Sequence, residues 1–249
     1  MSKLIVIEGI DGSGKGTQSK LLQARLVKEN YDLHKLSFPQ YSDSCSFFVR
    51  AYLNGDYGMS AEDVSPKQAS LCYAMDRFHT FKAYDEIKKA VASEDAILLA
   101  DRYTTSNILY QSTKAKSQDE IYQLIDWICE LEYGVLQIPE PDIVIMPYVE
   151  FEKNIEMMRR RDIAANANAN NMQRDIHEQN LEYLRQVHAA SEIIAQRMGF
   201  EIINCMDENG KLRTPENIHE EIYQKVDSKV LQYVKKKQKK RLFKSFSFY

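Results

Sequence analysis

Gly9–Ile10–Asp11–Gly12–Ser13–Gly14–Lys15–Gly16–Thr17 is the stretch that decides the fold. It follows a short apolar run, Lys3–Glu8 (KLIVIE), and leads into a helical pattern with Leu21, Leu22, Leu26 and Val27 on one stripe. Glycines let a backbone turn its N–H groups inward as an anion nest. The start of the following helix adds the positive end of its dipole. Lys15 adds a mobile cation. Spacing and context fit the G-x-x-x-x-G-K-[ST] phosphate loop between a strand and a helix. Gly9, Gly12, Ser13, Gly14, Lys15, Gly16, Thr17 and Gln18 are therefore the expected residues around the phosphates of ATP or GTP. One position departs from the strict pattern. Gly16 stands where a Ser or Thr hydroxyl would help hold Mg²⁺, and Thr17 is the next hydroxyl available. The spacing of a dinucleotide-binding fingerprint is absent.

Working outward, further short apolar runs lie at Asp32–Phe38, Ala96–Asp101, Asp142–Met146 and Phe200–Cys205. Helical patterns separate them, at Gly16–Glu29, Pro66 to about Ser93, Gln118–Glu132, Phe151–Arg161 and Arg174–Met198, and a last helix begins at Thr214, with Ile218, Ile222, Val226 and Val230 on one face. Continuous apolar strands alternating with helices predict a parallel sheet covered on both faces. The expected fold is an α/β P-loop sandwich of three layers, with a five-stranded parallel sheet and a short lid. The polar run IAANANANNMQ, between two helical patterns, reads as that lid, at about residues 159–174.

The 249 residues are 44% hydrophobic and 28% charged, ordinary for a globular protein. There is no apolar run long enough to span a bilayer and no pattern of a signal peptide, so no membrane partner and a cytoplasmic location are expected. The four cysteines, Cys45, Cys72, Cys129 and Cys205, lack metal-ligand spacing and read as reduced thiols. The net charge of −3 is uneven, because residues 235–249 carry seven basic residues and no acid. We read 1–234 as one domain and 235–249 as a basic tail. That tail is the only hint of nucleic acid or an anionic surface as a partner; a frayed, solvated end is its plainer reading.

Four more segments carry a resemblance: FPQY (Phe38–Tyr41), LCYAMDR (Leu71–Arg77), DRYTTSNILYQ (Asp101–Gln111) and the region RRRD…RDIHE (Arg159–Glu178). With GIDGSGK, their order and spacing resemble the thymidylate kinase family from residue 3 to about 205. DRYxxSNxxYQ after a strand is the most specific of them. The resemblance implies ATP and dTMP as substrates, Mg²⁺ as cofactor, dTDP as a product on the way to dTTP, and a homodimer through packed helices.

It also implies roles. Asp11 faces the acceptor's sugar and phosphate. Arg102 holds the acceptor phosphate and stabilises the group in flight. Asp101 reaches the metal, with Thr17 as the second candidate. Tyr73 stacks on the base, Phe38 lines its other side, Arg77 donates to a base carbonyl and Asn107 reads the thymine edge. Tyr110 crowds the 2′ position of the sugar. Tyr41 stands where several relatives carry arginine, and Arg50 is a weak substitute for that phosphate contact. Some relatives place an arginine in the phosphate loop at the position of Gly12. Here the lid is expected to supply it from Arg159, Arg160, Arg161 or Arg174, with Arg161 first and Arg159 second. His177, where many relatives have tyrosine, receives no role as a base. An acceptor such as dUMP or AMP stays open at this stage, as does a nucleotide-binding regulator without catalysis.

Overall fold

The computed structural model describes residues 1–58, 63–167 and 181–238. Five strands, β1 (Lys3–Ile7), β2 (Asp32–Ser37), β3 (Ala96–Asp101), β4 (Ile143–Tyr148) and β5 (Glu201–Asn204), pair in the order β2-β3-β1-β4-β5. Every pairing is parallel. The expected five-stranded parallel sheet is thus present.

Successive side chains of a strand point to opposite faces. Ile5 and Ile7 of β1 accordingly join Ile97 and Leu99 of β3 under α1 (Lys15–Lys28) and α9 (Pro215–Val226). Leu4 and Val6 join Leu98 and Ala100 on the other face, packed against Phe81 of α3 (Pro66–Ala83) and Ala195 of α8 (Leu181–Met198). Burial on both faces is why β1, β3 and β4 read as unbroken apolar runs. A third cluster lies beyond the strand ends. There α5 (Thr104–Ser112) meets α6 (Gln118–Cys129), α7 (Phe151–Ala167) and α8 through Ile108, Leu109, Ile125, Met158 and Leu184.

Several boundaries differ from the sequence expectation. The helix expected from Pro66 to about Ser93 is two helices, α3 and α4 (Asp85–Ala92), separated at Tyr84, whose backbone is extended. The helix expected to reach Glu132 ends as α6 at Cys129, and a π-helical turn, Glu130–Val135, follows. Two helices were not anticipated, α2 (Phe47–Asn54) and α5. Helical backbone continues to Gln238. Val234 is in the core, and Lys235 and Lys237 pair with Asp227 and Glu94, so the packed body extends into the first residues assigned to the tail. Arg174, His177 and residues 239–249 lie outside the described residues. Among those described, no helix is long and apolar enough to cross a membrane.

Candidate active site

The loop from β1 to α1 leaves the central strand of the sheet at its carboxyl end, where ligands bind in such folds. Gly14 is the N-cap of α1, with φ +86, and gives its helix no side-chain cap. The first N–H groups of α1 are therefore left to an anion. Gly12 has φ +84, and a β-carbon there would collide with the backbone carbonyl of Asn154 and with Met158 on α7. Any side chain at position 12 is excluded by this approach, so an arginine has no room in the loop. At Gly16 a β-carbon would meet nothing within 4 Å. Space therefore does not explain the absent hydroxyl.

Asp11 is the centre of the charge cluster. Lys15 Nζ donates to its Oδ1 at 2.6 Å, Arg102 Nη2 to the same oxygen at 2.5 Å, and the Tyr110 hydroxyl to Oδ2 at 2.9 Å. Burial disfavours its charge, yet Arg102, Lys15 and these hydrogen bonds hold its carboxyl far below the usual carboxylate range. Burial, with Arg102 nearby, lowers the pKa of Lys15 despite Asp11. Burial also works against the charge of Arg102, but Asp11 outweighs it and keeps the guanidinium firmly protonated. Arg102 follows β3 directly with φ +63, an uncommon backbone for a side-chain-bearing residue and of a kind that concentrates at functional sites. Its N–H donates to Ile7 at 3.2 Å, which ties it to the end of β1. Its guanidinium lies 5.5 Å from the centre of the Tyr110 ring.

A second group sits on α3 and α5. Arg77 and Asn107 are buried, at 2% and 3% exposure. Arg77 makes a bidentate pair with Glu132, at 2.6 Å for each bond. Burial disfavours the charge on Arg77, and Glu132 more than offsets it, so its pKa is raised. Asn107 donates to Glu132 and to the carbonyl of Ser70, and its Oδ1 is buried with no partner among the described residues. Tyr73 is half-buried, one turn before Arg77 on α3, and its ring meets that of Tyr52 edge-on at 6.1 Å.

Three expected site residues are placed differently. Gln18 is turned inward, and its amide donates to the carbonyl of Pro215 at 3.0 Å, so it joins α1 to the start of α9 instead of facing phosphates. Phe38 is 3% exposed and packs between Phe81 and Tyr103. It belongs to the core. Arg50 donates to the carbonyls of Tyr41 and Asp43, at 2.8 and 2.6 Å, and so pins the loop that carries Tyr41. Tyr41 itself is exposed. Ser13 is buried, Thr17 is exposed, and Asp101 is half-buried at the end of β3.

The described arginines expected to serve the lid lie on α7 and divide by helical phase. Residues 154, 158 and 161 fall on one face of α7, since steps of three and four return to the same side. Asn154 and Met158 pack on the phosphate loop at Gly12, so Arg161 shares that face. Arg159 lies on another side and lines an open cleft of about 350 Å³ with Phe151, Ile155 and Arg185. Arg160 is exposed and pairs with Glu156.

Besides Asp76, which accepts from Gln40 and Ser46, two buried acids were not anticipated. Glu8 is 0% exposed and accepts from Thr105 and Ser106 at 2.6 and 2.8 Å, which fixes the start of α5 to the end of β1. Glu132 is the other. The clue for Glu8 was an acid ending an otherwise apolar strand beside the loop. Glu132 gave none.

The oxygens that could serve a divalent cation are those the sequence named, the carboxylate of Asp101 and the hydroxyl of Thr17. Among the described residues no group of three or more His, Cys, Asp and Glu side chains gathers to form a metal cage. This set suits Mg²⁺, a hard ion that keeps waters and takes phosphate oxygens as ligands.

Residues 7–222 match the sequence profile of the thymidylate kinase family. Thymidylate kinase of Halothermothrix orenii is 28% identical over 223 residues, 89% of this chain and 95% of that protein. Thymidylate kinase of Mycobacterium tuberculosis is 30% identical over 159 residues, 64% of this chain and 71% of that one. A solved structure of thymidylate kinase from Candida albicans has the same fold, with a TM-score of 0.65 at 19% identity, covering 94% of this chain and 93% of that chain. The glycine loop, the Asp11–Arg102 pair and the profile match agree: the chain belongs to the thymidylate kinase family and is a nucleoside monophosphate kinase.

Proposed function

We propose that the chain transfers the terminal phosphoryl group of ATP to dTMP, with Mg²⁺, yielding ADP and dTDP. The observation that carries this reading is the double attachment of α5. Tyr110 on this helix bonds to Asp11 in the phosphate loop, while Asn107, one turn earlier, holds a buried acceptor beside Arg77. One helix thus joins the phosphate cradle to groups suited to a base edge.

In the proposed reaction, the bond between the γ-phosphorus and the ADP oxygen breaks as an oxygen of the dTMP phosphate bonds to that phosphorus. A phosphate monoester is largely dianionic at neutral pH, so its oxygen is a nucleophile without a general base. What remains for the protein is positioning and charge stabilisation. The α1 N–H groups and Lys15 bind the donor phosphates. Arg102 holds the acceptor phosphate, oriented by Asp11. Arg161, on the α7 face over the loop, supplies a further cation to the group in flight. Tyr110, held by Asp11, crowds the sugar's 2′ position. Tyr73 offers a ring to the base. Asp101 and Thr17 would hold Mg²⁺, which when bound neutralises charge on the donor phosphates.

A homodimer belongs to the same proposal. Leu71 and Met75, four apart on α3, are 44% and 43% exposed, Phe47 and Phe48 at the start of α2 are 58% and 53% exposed, and such apolar surface suits a partner. Sedimentation velocity would show a single species of twice the chain mass; a monomer at all concentrations would contradict it.

Incubation with ATP, Mg²⁺ and dTMP, resolved by ion-exchange chromatography, tests the reaction. Equimolar ADP and dTDP are expected. ADP without dTDP, or no turnover, would contradict the proposal.

A further inference from the structure

Glu132 is fully buried and receives four side-chain hydrogen bonds. Arg77 gives two, through Nε to Oε2 and Nη2 to Oε1. The Thr104 hydroxyl donates to Oε2 at 2.7 Å and Asn107 Nδ2 to Oε1 at 2.9 Å. The π-helical turn Glu130–Val135 presents it, and π-helical turns are rare and often found at functional sites. At Gly134, in the same turn, a β-carbon would press on the Glu130 carboxylate at 2.8 Å.

The consequence falls on Asn107. A side-chain amide has a donating and an accepting end, and its orientation follows from the hydrogen-bond network. Both partners of its nitrogen, the Glu132 carboxylate and the Ser70 carbonyl, only accept. The NH₂ must face them, and Oδ1 must face away. That oxygen is buried and has no partner among the described residues. A buried acceptor without a partner among the described residues is a place where a ligand's donor fits. Arg77 is fixed by the same carboxylate through two of its nitrogens, and its Nη1 has no partner among the described residues.

An accepting oxygen beside a donating guanidinium matches a ring N–H next to a carbonyl, the imide edge of thymine or uracil. The edge of cytosine is the reverse, a ring nitrogen that accepts beside an amino group that donates. We propose that Glu132 is a positioning residue for base specificity: it locks Asn107 and Arg77 into the orientation that takes an imide and rejects an aminopyrimidine. This rests on the acceptor reading given above. A carboxylate is needed because an amide at 132 could donate to Asn107 and let it turn over.

The test compares kcat/KM for dTMP and dCMP in the full chain, in Glu132→Gln and in Glu132→Asp. In E132Q the preference for dTMP should fall at least about tenfold, through KM for the acceptor, with KM for ATP unchanged. E132D, still acceptor-only, should keep the preference even at lower overall activity. Equal losses for both nucleotides in E132Q would mark Glu132 as a mere packing residue and overturn the inference. A wild-type chain with no preference for dTMP over dCMP would overturn the acceptor reading instead. Should E132Q not fold, wild type with dTMP labelled with ¹⁵N at N3 decides. An imino proton protected from exchange supports the inference, and one exchanging as in free dTMP overturns it.

Discussion

Arg102, at the end of β3, reaches into the phosphate loop and places Nη2 2.5 Å from Oδ1 of Asp11. A cation that would otherwise repel Lys15 is thereby made compatible with it, since both share one carboxylate oxygen. The pair also turns Arg102 toward the place where donor and acceptor phosphates must meet. The left-handed backbone of Arg102 is strain that this arrangement holds in place.

Asp11→Asn leaves the two cations facing each other without compensation. The ligand-free chain should lose roughly 2–3 kcal/mol, the range for charge-assisted hydrogen bonds. ATP should restore part of it, because phosphates replace the missing anion. The pH dependence follows from the depressed pKa of Asp11. Its contribution is complete above the unfolded-state value of about 4 and shrinks as pH falls below it toward the lower folded value. Urea unfolding from pH 7 to pH 2 should show the wild-type and D11N curves converging only below about pH 4. A constant gap, or none at neutral pH, would contradict the assignment.

Arg161→Ala should lower kcat about 10²-fold or more with little change in either KM, as expected for a cation that acts on the transition state. Arg159→Ala, on the cleft side of α7, should change kcat by less than about threefold, the scale of a solvent-facing charge. Steady-state kinetics of both variants would separate them. Equal effects, or a larger one for R159A, would move the lid cation to the other face.

Gly12→Ala sets a β-carbon against the Asn154 carbonyl at a φ of +84. Backbone strain alone should cost about 1–3 kcal/mol, read by chemical denaturation. An unchanged midpoint would mean that α7 does not close on the loop as described.

The sheet was legible because its central strands are buried on both faces and so appear as plain apolar runs. The loop was legible because its glycines and lysine stand at fixed offsets. Helix α5 was not, because nearly every residue of it is buried and no polar face sets a period. Gln18 looked like part of the loop, but the turn of α1 carries it inward to Pro215. Glu132 reads as an ordinary acid ending an amphipathic helix. Its burial depends on the π-turn and on Arg77, Thr104 and Asn107, which lie 55, 28 and 25 residues away in the chain. The polar interval after Arg161 was read as a lid, but its first residues continue α7 to Ala167 and residues 168–173 lie outside the described residues; helical phase against Gly12, not composition, distinguishes Arg161 from Arg159.

The central claim is an acceptor, and competition tests it most directly. Equal concentrations of dTMP, dUMP, dCMP and AMP share one reaction with limiting ATP and Mg²⁺, and the diphosphates are quantified before the ATP is exhausted. The account expects dTDP to be the main product, with lesser dUDP and little dCDP or ADP derived from AMP. Comparable phosphorylation of AMP and dTMP, or no diphosphate product from any acceptor while ATP binds tightly, would contradict it.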